Sequence, residues 1–104
     1  MATRSEVTPV RDPEGHETDW IHEVVDFRDK RVLEIGVGQG RLTWRFADAA
    51  RWTVGIDPEP ESIYFAPREC PPDLRPKVAW ALAEAENLPF PRDTFDLAVL
   101  AWSL

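Results

Sequence analysis

A short apolar strand that ends in closely spaced glycines constrains the fold of this chain more than any other feature. Residues 31–35 read R-V-L-E-I, and the next five residues, G-V-G-Q-G, place glycine at every second position. A helix-forming segment, 41–50, follows directly. Glycine lets the backbone turn sharply, and its missing side chain lets a ligand approach main-chain amides at a helix N-terminus. The pattern predicts a strand, a turn and a helix that together form a nucleotide-type pocket.

The remainder of the chain alternates apolar strands with helix-forming segments. The spacing of apolar residues predicts four strands, over 31–35, 51–56, 78–83 and 95–101, and two helices, over 18–27 and 41–50. A third helix begins near Pro58, where a first-turn proline is tolerated, and Pro67 should stop or kink it. Strands that alternate with helices favour an α/β fold, a parallel sheet with helices on both faces.

Length, charge and cysteine content narrow the class of protein. A chain of 104 residues has room for one domain. Its net charge of -7 would repel a phosphate backbone and an anionic membrane, so we expect neither nucleic acid nor membrane as a partner. Cys70 is the only cysteine, which excludes an intrachain disulfide and a cysteine-based metal site, and we expect no metal. These features favour a cytoplasmic protein.

The N-terminal region differs from the rest in composition. It is polar and contains Pro9, Pro13 and Gly15. This composition predicts a flexible segment over residues 1–16, followed by one domain over residues 17–104.

The glycine spacing also separates several kinds of nucleotide pocket. A dinucleotide fingerprint needs a glycine or a small residue where this chain has Arg41, and no Gly-Lys-Ser or Gly-Lys-Thr of a phosphate loop is present. Glu34 lies two residues before Gly36. A carboxylate there would repel a pyrophosphate and attract a cation, so the pattern indicates a ligand with positive charge.

Polar residues follow the predicted strands at the positions where ligands of parallel sheets bind. These positions are the carboxyl ends of the strands, and they hold Glu34, Asp57, Glu84 and the tail 101–103. Asp57 lies 21 positions after Gly36. That separation is close to the spacing of about 20 residues at which an acid binds ribose hydroxyls.

Four motifs in order resemble the class I S-adenosylmethionine-dependent methyltransferases. They are V-L-E-I-G-V-G-Q-G at 32–40, V-G-I-D-P at 54–58, A-E-A-E-N-L-P-F-P at 83–91 and T-F-D-L-A-V-L at 94–100. The resemblance covers about residues 30–104 and implies S-adenosyl-L-methionine as cofactor on a Rossmann-like fold, truncated after the fourth strand. Residues 87–91 are similar to those of methyltransferases that act on small molecules.

The resemblance also implies a role for each candidate cofactor-binding residue. Glu34 would face the ammonium and sulfonium of the cofactor, and Asp57 would accept both ribose hydroxyls. Pro58 would pack on the adenine, and Glu84 would accept from its exocyclic amine. Main-chain or pocket-wall contacts are implied at Gly36, Val37, Gly38, Gly40, Ala85 and Ala101. No catalytic residue is identified, and a general base is expected in a segment beyond this sequence.

Each acid also has a purely structural explanation. Glu34 can be a surface acid, Asp57 a helix cap, and Glu84 a solvated loop acid that Glu86 could replace. Asp96, at the start of the fourth strand, is interpreted as structural and is left out of the site.

Three functions stay open. The first is a methyltransferase, or its cofactor-binding half, acting on a small molecule. The second is a non-catalytic module that binds S-adenosylmethionine, S-adenosylhomocysteine or a partner chain, and the third is part of an NAD-dependent dehydrogenase. The family's sheet has seven strands, so the substrate half is expected to be absent, and the strand over 95–101 would form an exposed apolar edge. Such an edge predicts a homo-oligomer or a partner chain that pairs there, or a piece of a longer enzyme.

Overall fold

Five parallel strands of the described part of the chain form a single sheet. The structure is a computed structural model that describes residues 6–11, 25–38 and 42–102. The strands are β1 (Glu6–Arg11), β2 (Arg31–Ile35), β3 (Trp52–Asp57), β4 (Val78–Leu82) and β5 (Leu97–Trp102), in the spatial order β1-β5-β2-β3-β4. The described helices are α1 (Thr43–Phe46), α2 (Pro60–Glu69) and a 3-10 helix (Pro72–Lys77). The predicted parallel α/β fold is confirmed, as are the four predicted strands, whose ends shift by one or two residues.

The two central strands carry the core. Successive side chains of a strand point to opposite faces of the sheet, so Val32 and Leu33 of β2 belong to different apolar clusters. On one face Phe27 stacks on Phe46 of α1, with 4.6 Å between the ring centroids. On the other face Phe95 packs edge-on against Trp52. Because both faces are covered, β2 and β5 read as nearly continuous apolar runs in the sequence.

The helices differ more from the prediction than the strands do. Within the described residues, α1 is a helix of four residues rather than the predicted 41–50. The predicted helix over 18–27 lies mostly outside the described residues, and residues 25–27 are not helical. Pro67 does not stop α2, which continues to Glu69. The position lies near the C-terminus of the helix, where few hydrogen bonds remain to be lost, and the Arg68 guanidinium donates to the carbonyl of Tyr64 at 2.7 Å.

The N-terminal region contributes a strand where the composition predicted flexibility. Residues 6–11 form β1, which pairs in parallel with β5 from Glu6 opposite Leu97 to Arg11 opposite Trp102. The prediction of a flexible segment is therefore wrong for these six residues, and residues 12–16 lie outside the described ranges. Pro9 lies in this outer strand, a position where a missing N–H is tolerated.

The predicted exposed edge of the fourth strand is also wrong. That strand is β5, and β1 lies on one side of it and β2 on the other. An apolar strand gains hydrogen bonds and burial from any extended segment that reaches it, and here a segment of the same chain does so.

No described helix is both long enough and apolar enough to cross a lipid bilayer. Over the same described ranges, histidine, cysteine and acidic side chains form no group of three that could hold a metal ion.

Candidate functional site

The carboxyl ends of β2, β3 and β4 meet at one edge of the sheet because the strands are parallel. Strand pairing places Ile35 of β2 beside Ile56 of β3, and Asp57 of β3 beside Leu82 of β4. Beyond β2 the backbone turns through positive φ angles at Gly36 (82°) and Gly38 (57°), which glycine adopts without strain. The predicted strand ends and glycine turn therefore come together at this edge.

The amides of this turn are used within the chain. The N–H groups of Gly36 and Val37 both donate to the carbonyl of Ile56, at 2.9 and 3.1 Å. The N–H of Gly38 donates to Oδ2 of Asp57 at 3.0 Å. The expectation that these amides are free for a ligand is wrong for all three described residues, and Gly40 lies outside the described ranges.

Glycine instead provides space in this region. A Cβ added to Gly38 would have no heavy atom within 4 Å, so the turn borders open space. A Cβ added to Gly55 of β3 would lie 2.6 Å from Cγ1 of Val37 and 3.0 Å from the ring of Trp80. Val37 is buried against that glycine. Its side chain supports the turn from the protein side and does not face the open space.

Asp57 holds the turn against the following helix. The residue is buried, with 7% of its surface exposed. Oδ2 accepts from Gly38, and Oδ1 accepts from the N–H of Glu59 at 2.9 Å, immediately before α2. Asp57 is not the helix cap itself, because the N-cap residue of α2 is Glu59 and no side-chain capping hydrogen bond is present there. A carboxylate accepts about four hydrogen bonds, so each oxygen keeps the capacity for one more.

Glu34 is fully buried, so its interpretation as a surface acid is wrong. The hydroxyl of Thr43 in α1 donates to Oε1, whereas Oε2 is buried and has no hydrogen-bond partner among the described residues. The pKa of the Glu34 carboxyl is raised to about 8, mainly by burial and in smaller part by the negative charge of Asp57, and the Thr43 hydrogen bond opposes this rise. The group is thus a buried carboxyl with one oxygen available for a new partner.

A cavity of about 350 Å³ lies beyond β4. A main-chain hydrogen bond connects one wall of this cavity to Asp57, because the N–H of Ala83 donates to the carbonyl of Asp57 at 3.2 Å. The lining residues are Pro58, Leu82, Ala83, Glu84, Asn87 and Pro89. Two of the predicted site residues, Pro58 and Glu84, therefore share one cavity, while Ala85 and Glu86 are exposed and do not line it.

Sequence reasoning missed Thr43 and the cavity residues Leu82, Asn87 and Pro89. A buried acid in a strand needs a donor, and a hydroxyl nine residues later, at the start of a helix, is a signal that could have identified Thr43. Leu82 is 57% exposed although it is apolar and ends a strand. No simple pattern marks it as a pocket wall. Ala101, the last predicted site residue, belongs to β5 and pairs with Val10.

Comparison with known proteins identifies relatives for most of the chain. The family described as a methyltransferase domain matches residues 32–104. An uncharacterized methyltransferase of Mycobacteroides abscessus is 29% identical over 77 residues, which cover 74% of this chain and 30% of that protein. The uncharacterized methyltransferase YcgJ of Bacillus subtilis is 32% identical over 69 residues, which cover 66% of this chain and 27% of that protein.

Solved structures agree with this result. The crystal structure of the Bacillus YcgJ protein superposes with a TM-score of 0.76 at 27% identity, over 84% of this chain and 38% of that chain. The 23S rRNA methyltransferase ErmE superposes with a TM-score of 0.62 at 26% identity, over 85% of this chain and 35% of that chain. This chain spans about 30% of the length of the curated relatives that it matches.

Proposed function

The chain belongs to the class I S-adenosylmethionine-dependent methyltransferases, and from this premise we propose that it forms the cofactor-binding part of an enzyme that methylates a small molecule. The observation that carries the proposal is the acid at the end of β3. The side chain of Asp57 accepts from the glycine turn, and its main-chain carbonyl accepts from Ala83, which lines the cavity beyond β4.

The described residues fit S-adenosyl-L-methionine by their chemistry. Next to the glycine turn, the unbonded Oε2 of Glu34 provides a negative or polar partner for a cationic amino group. Asp57 keeps acceptor capacity for two ribose hydroxyls. The cavity with Pro58 and Glu84 combines apolar walls with an acceptor, which suits a flat base that carries an amine. The open space at Gly38 leaves room between these groups.

Binding and orientation are the contributions of these residues to the reaction. When bound, the cofactor supplies a methyl group on a positively charged sulfur. The transfer is an in-line displacement, so the rate depends mainly on holding the methyl group and its acceptor in line. Asp57, fixed by two main-chain donors, would hold the ribose rigidly, and the buried Glu34 would hold the amino acid end. We assign no general base to the described residues.

A small molecule is the proposed methyl acceptor, and the charge of the chain supports this choice. A net charge of -7 disfavours association with RNA or DNA. The relative ErmE acts on 23S rRNA, so a nucleic acid is the competing substrate class. For the same reason of charge we propose no anionic membrane as partner, and the single cysteine supports a cytoplasmic location.

Calorimetry with S-adenosylhomocysteine tests cofactor binding. We expect the 104-residue chain to bind, and Asp57→Asn to weaken binding by about 1–3 kcal/mol, the scale of hydrogen bonds to a charged group. Asp48→Asn is a matched control because it makes the same change in charge at an exposed position before β3, at the opposite end of that strand. Equal affinities for Asp57→Asn and Asp48→Asn, or no heat with the unaltered chain, would reject the proposed site.

Transfer of a labelled methyl group tests the reaction and its acceptor. Label that enters a small-molecule extract supports the proposal, and label that enters only RNA contradicts the proposed substrate class. Binding without any transfer would favour the non-catalytic module. Preference for NAD over S-adenosylhomocysteine would favour the dehydrogenase.

A further inference from the structure

The carboxyl group of Glu34 is unusual because it is fully buried and only half satisfied. Thr43 donates to Oε1, and no residue within the described ranges forms a hydrogen bond with Oε2. An ionised carboxylate in such a place loses its hydration without full compensation, which is costly. A role in packing alone does not explain why the strand carries this acid.

Three elements surround the group. β3 contributes the negative charge of Asp57, and β5 contributes Val99 at the paired position. α1 contributes the hydroxyl of Thr43. Of the ionisable side chains that the structure describes, only Asp57 acts on the Glu34 carboxyl through its charge. This environment holds the pKa of Glu34 near 8, so the free chain keeps the carboxyl largely protonated at neutral pH.

We propose that Glu34 releases its proton when the cofactor binds, and that Thr43 is the positioning residue that holds Oε1 and leaves Oε2 for the ammonium of the cofactor. The inference rests on the proposed function. On binding, the O–H bond of the carboxyl breaks, the proton passes to the solvent, and a carboxylate paired with the ammonium replaces it. The Thr43 hydroxyl donates to Oε1 throughout and stabilises the ionised form.

Because ligand binding is coupled to the release of a proton, the proposal predicts how ligand affinity depends on pH. If the bound state requires an ionised Glu34, then ligand affinity rises with pH below the pKa of the free chain and levels off above it. The rise approaches tenfold per pH unit well below that pKa. At pH 7, with a pKa of about 8 for the free chain, binding should release most of one proton.

Calorimetry of S-adenosylhomocysteine binding in phosphate and in Tris measures this number directly. The two buffers take up protons with different enthalpies, so the difference in binding heat gives the number of protons released. We expect release of most of one proton at pH 7 for the unaltered chain and a gain in affinity of several-fold to about tenfold between pH 6 and pH 7.

Variants assign the proton to Glu34 and the positioning role to Thr43. Glu34→Gln should bind more weakly, release no proton and show an affinity independent of pH between 6 and 8. Thr43→Val should bind at least several-fold more weakly and shift the pH at which affinity levels off upward, while Thr43→Ser, which keeps the hydroxyl, should restore both. Thr53→Val is the matched control, because the Thr53 hydroxyl is also buried but has no partner. It should leave affinity and proton release unchanged.

Different results of these experiments would reject this inference and the proposed function. Binding by the unaltered chain without release of a proton overturns the inference and leaves the proposed function standing. Release that persists in Glu34→Gln overturns it as well, since another group would be the source. Absence of any binding heat rejects the proposed function, and the inference with it.

Discussion

At the scale of single residues, the site depends on side chains that connect several parts of the fold. Asp57 accepts from the amides of Gly38 and Glu59, and its own carbonyl accepts from Ala83. The turn after β2, the start of α2 and the loop after β4 are therefore tied to one residue. A substitution at Asp57 alters the two side-chain contacts and keeps the main-chain contact to Ala83. Asn has a similar shape and keeps one oxygen acceptor, so it is a better probe than Ala.

Gly55 is expected to tolerate no side chain. In Gly55→Ala the new Cβ would overlap Cγ1 of Val37 and touch the ring of Trp80, so we expect a loss of about 1–3 kcal/mol in the free energy of unfolding. Urea denaturation measures it. Gly38→Ala is the comparison, since it adds a methyl group in open space and costs only the left-handed backbone, about 1–2 kcal/mol. Partial recovery in Val37→Ala with Gly55→Ala would identify the overlap, and no recovery would contradict it.

Glu34 should make the free chain less stable as pH rises. Its pKa is about 8 in the folded chain, against 4.5 for an ordinary exposed glutamate, so the folded state binds more protons between these values. Stability therefore falls with rising pH in this window, by up to a few kcal/mol. Urea denaturation at pH 5, 6, 7 and 8 should show this slope, and Glu34→Gln should remove most of it. Identical slopes in both proteins would show that the carboxyl ionises as easily folded as unfolded.

The sequence predicted which residues reach the edge of the sheet but not how they bond there. Apolar runs define the strands, and parallel strands bring Glu34 and Asp57 to the same end. The partners of these acids depend on rotamers and on the path of the turn, which no spacing rule contains. The amides of Gly36 and Gly38 look free in the sequence, yet the structure uses both.

At the scale of elements, an ion pair joins the starts of β2 and β5. The guanidinium of Arg31 donates to both oxygens of Asp96, at 2.8 and 3.0 Å, and the Arg31 amide donates to the same carboxylate at 2.9 Å. The amide of Asp96 donates back to the carbonyl of Arg31 at 2.8 Å. The structural interpretation of Asp96 fits these contacts, since the pair sets the register of two central strands.

Asp96→Asn should reduce stability by about 1 kcal/mol, a modest value because the two side chains stay 28% and 25% exposed and water screens the pair. The hydrogen bonds from Arg31 lower the pKa of Asp96 to about 2 from 3.8. A lowered pKa stabilises the fold above about pH 4, and this contribution disappears as pH falls toward 2. Thermal unfolding between pH 2 and pH 7 measures it.

Asp26→Asn is the matched control for this pair. Asp26 also binds an arginine, Arg28, but the partner lies two residues away and both side chains are exposed. We expect little change in stability, since no strand depends on the contact. Equal effects of Asp26→Asn and Asp96→Asn would contradict the register role of Asp96.

The elements that sequence patterns missed are those that tertiary contacts create or shorten. β1 contains only a short V-T-P-V stretch and becomes a strand because β5 offers an apolar edge. α1 has the apolar spacing of a longer helix, yet its described helical part is four residues, and turns follow it over 47–49. Secondary-structure propensity is a property of one segment at a time, so it predicts neither the pairing of β1 with a distant strand nor the short α1.

At the scale of the whole molecule, the sheet is closed on one side by the chain's own N-terminal region. Removing residues 1–11 would expose the apolar strand β5 along its length. We expect the shortened chain to form dimers or larger species in light scattering, and the amides of 97–100 to exchange faster with deuterium than in the full chain. The full chain should scatter as a smaller species at the same concentration.

A second variant distinguishes the loss of β1 pairing from the effect of a shorter chain. Replacing Thr8 with proline keeps the chain length but removes another N–H from β1, beside Pro9. Faster exchange in β5 with this change would support the pairing. Unchanged exchange in both altered chains would show that β1 does not protect β5.

The position of β1 also affects how the chain reaches its final fold. Glu6 pairs with Leu97, so during synthesis β1 waits for β5, which follows roughly ninety residues later. The strands β2, β3 and β4 can assemble earlier through shorter connections, whereas the pairing of β1 with β5 involves the longest loop closure and is expected to be slow. During synthesis the V-T-P-V segment therefore stays available to other extended chains, and chaperone demand should be highest just before residues 97–102 emerge.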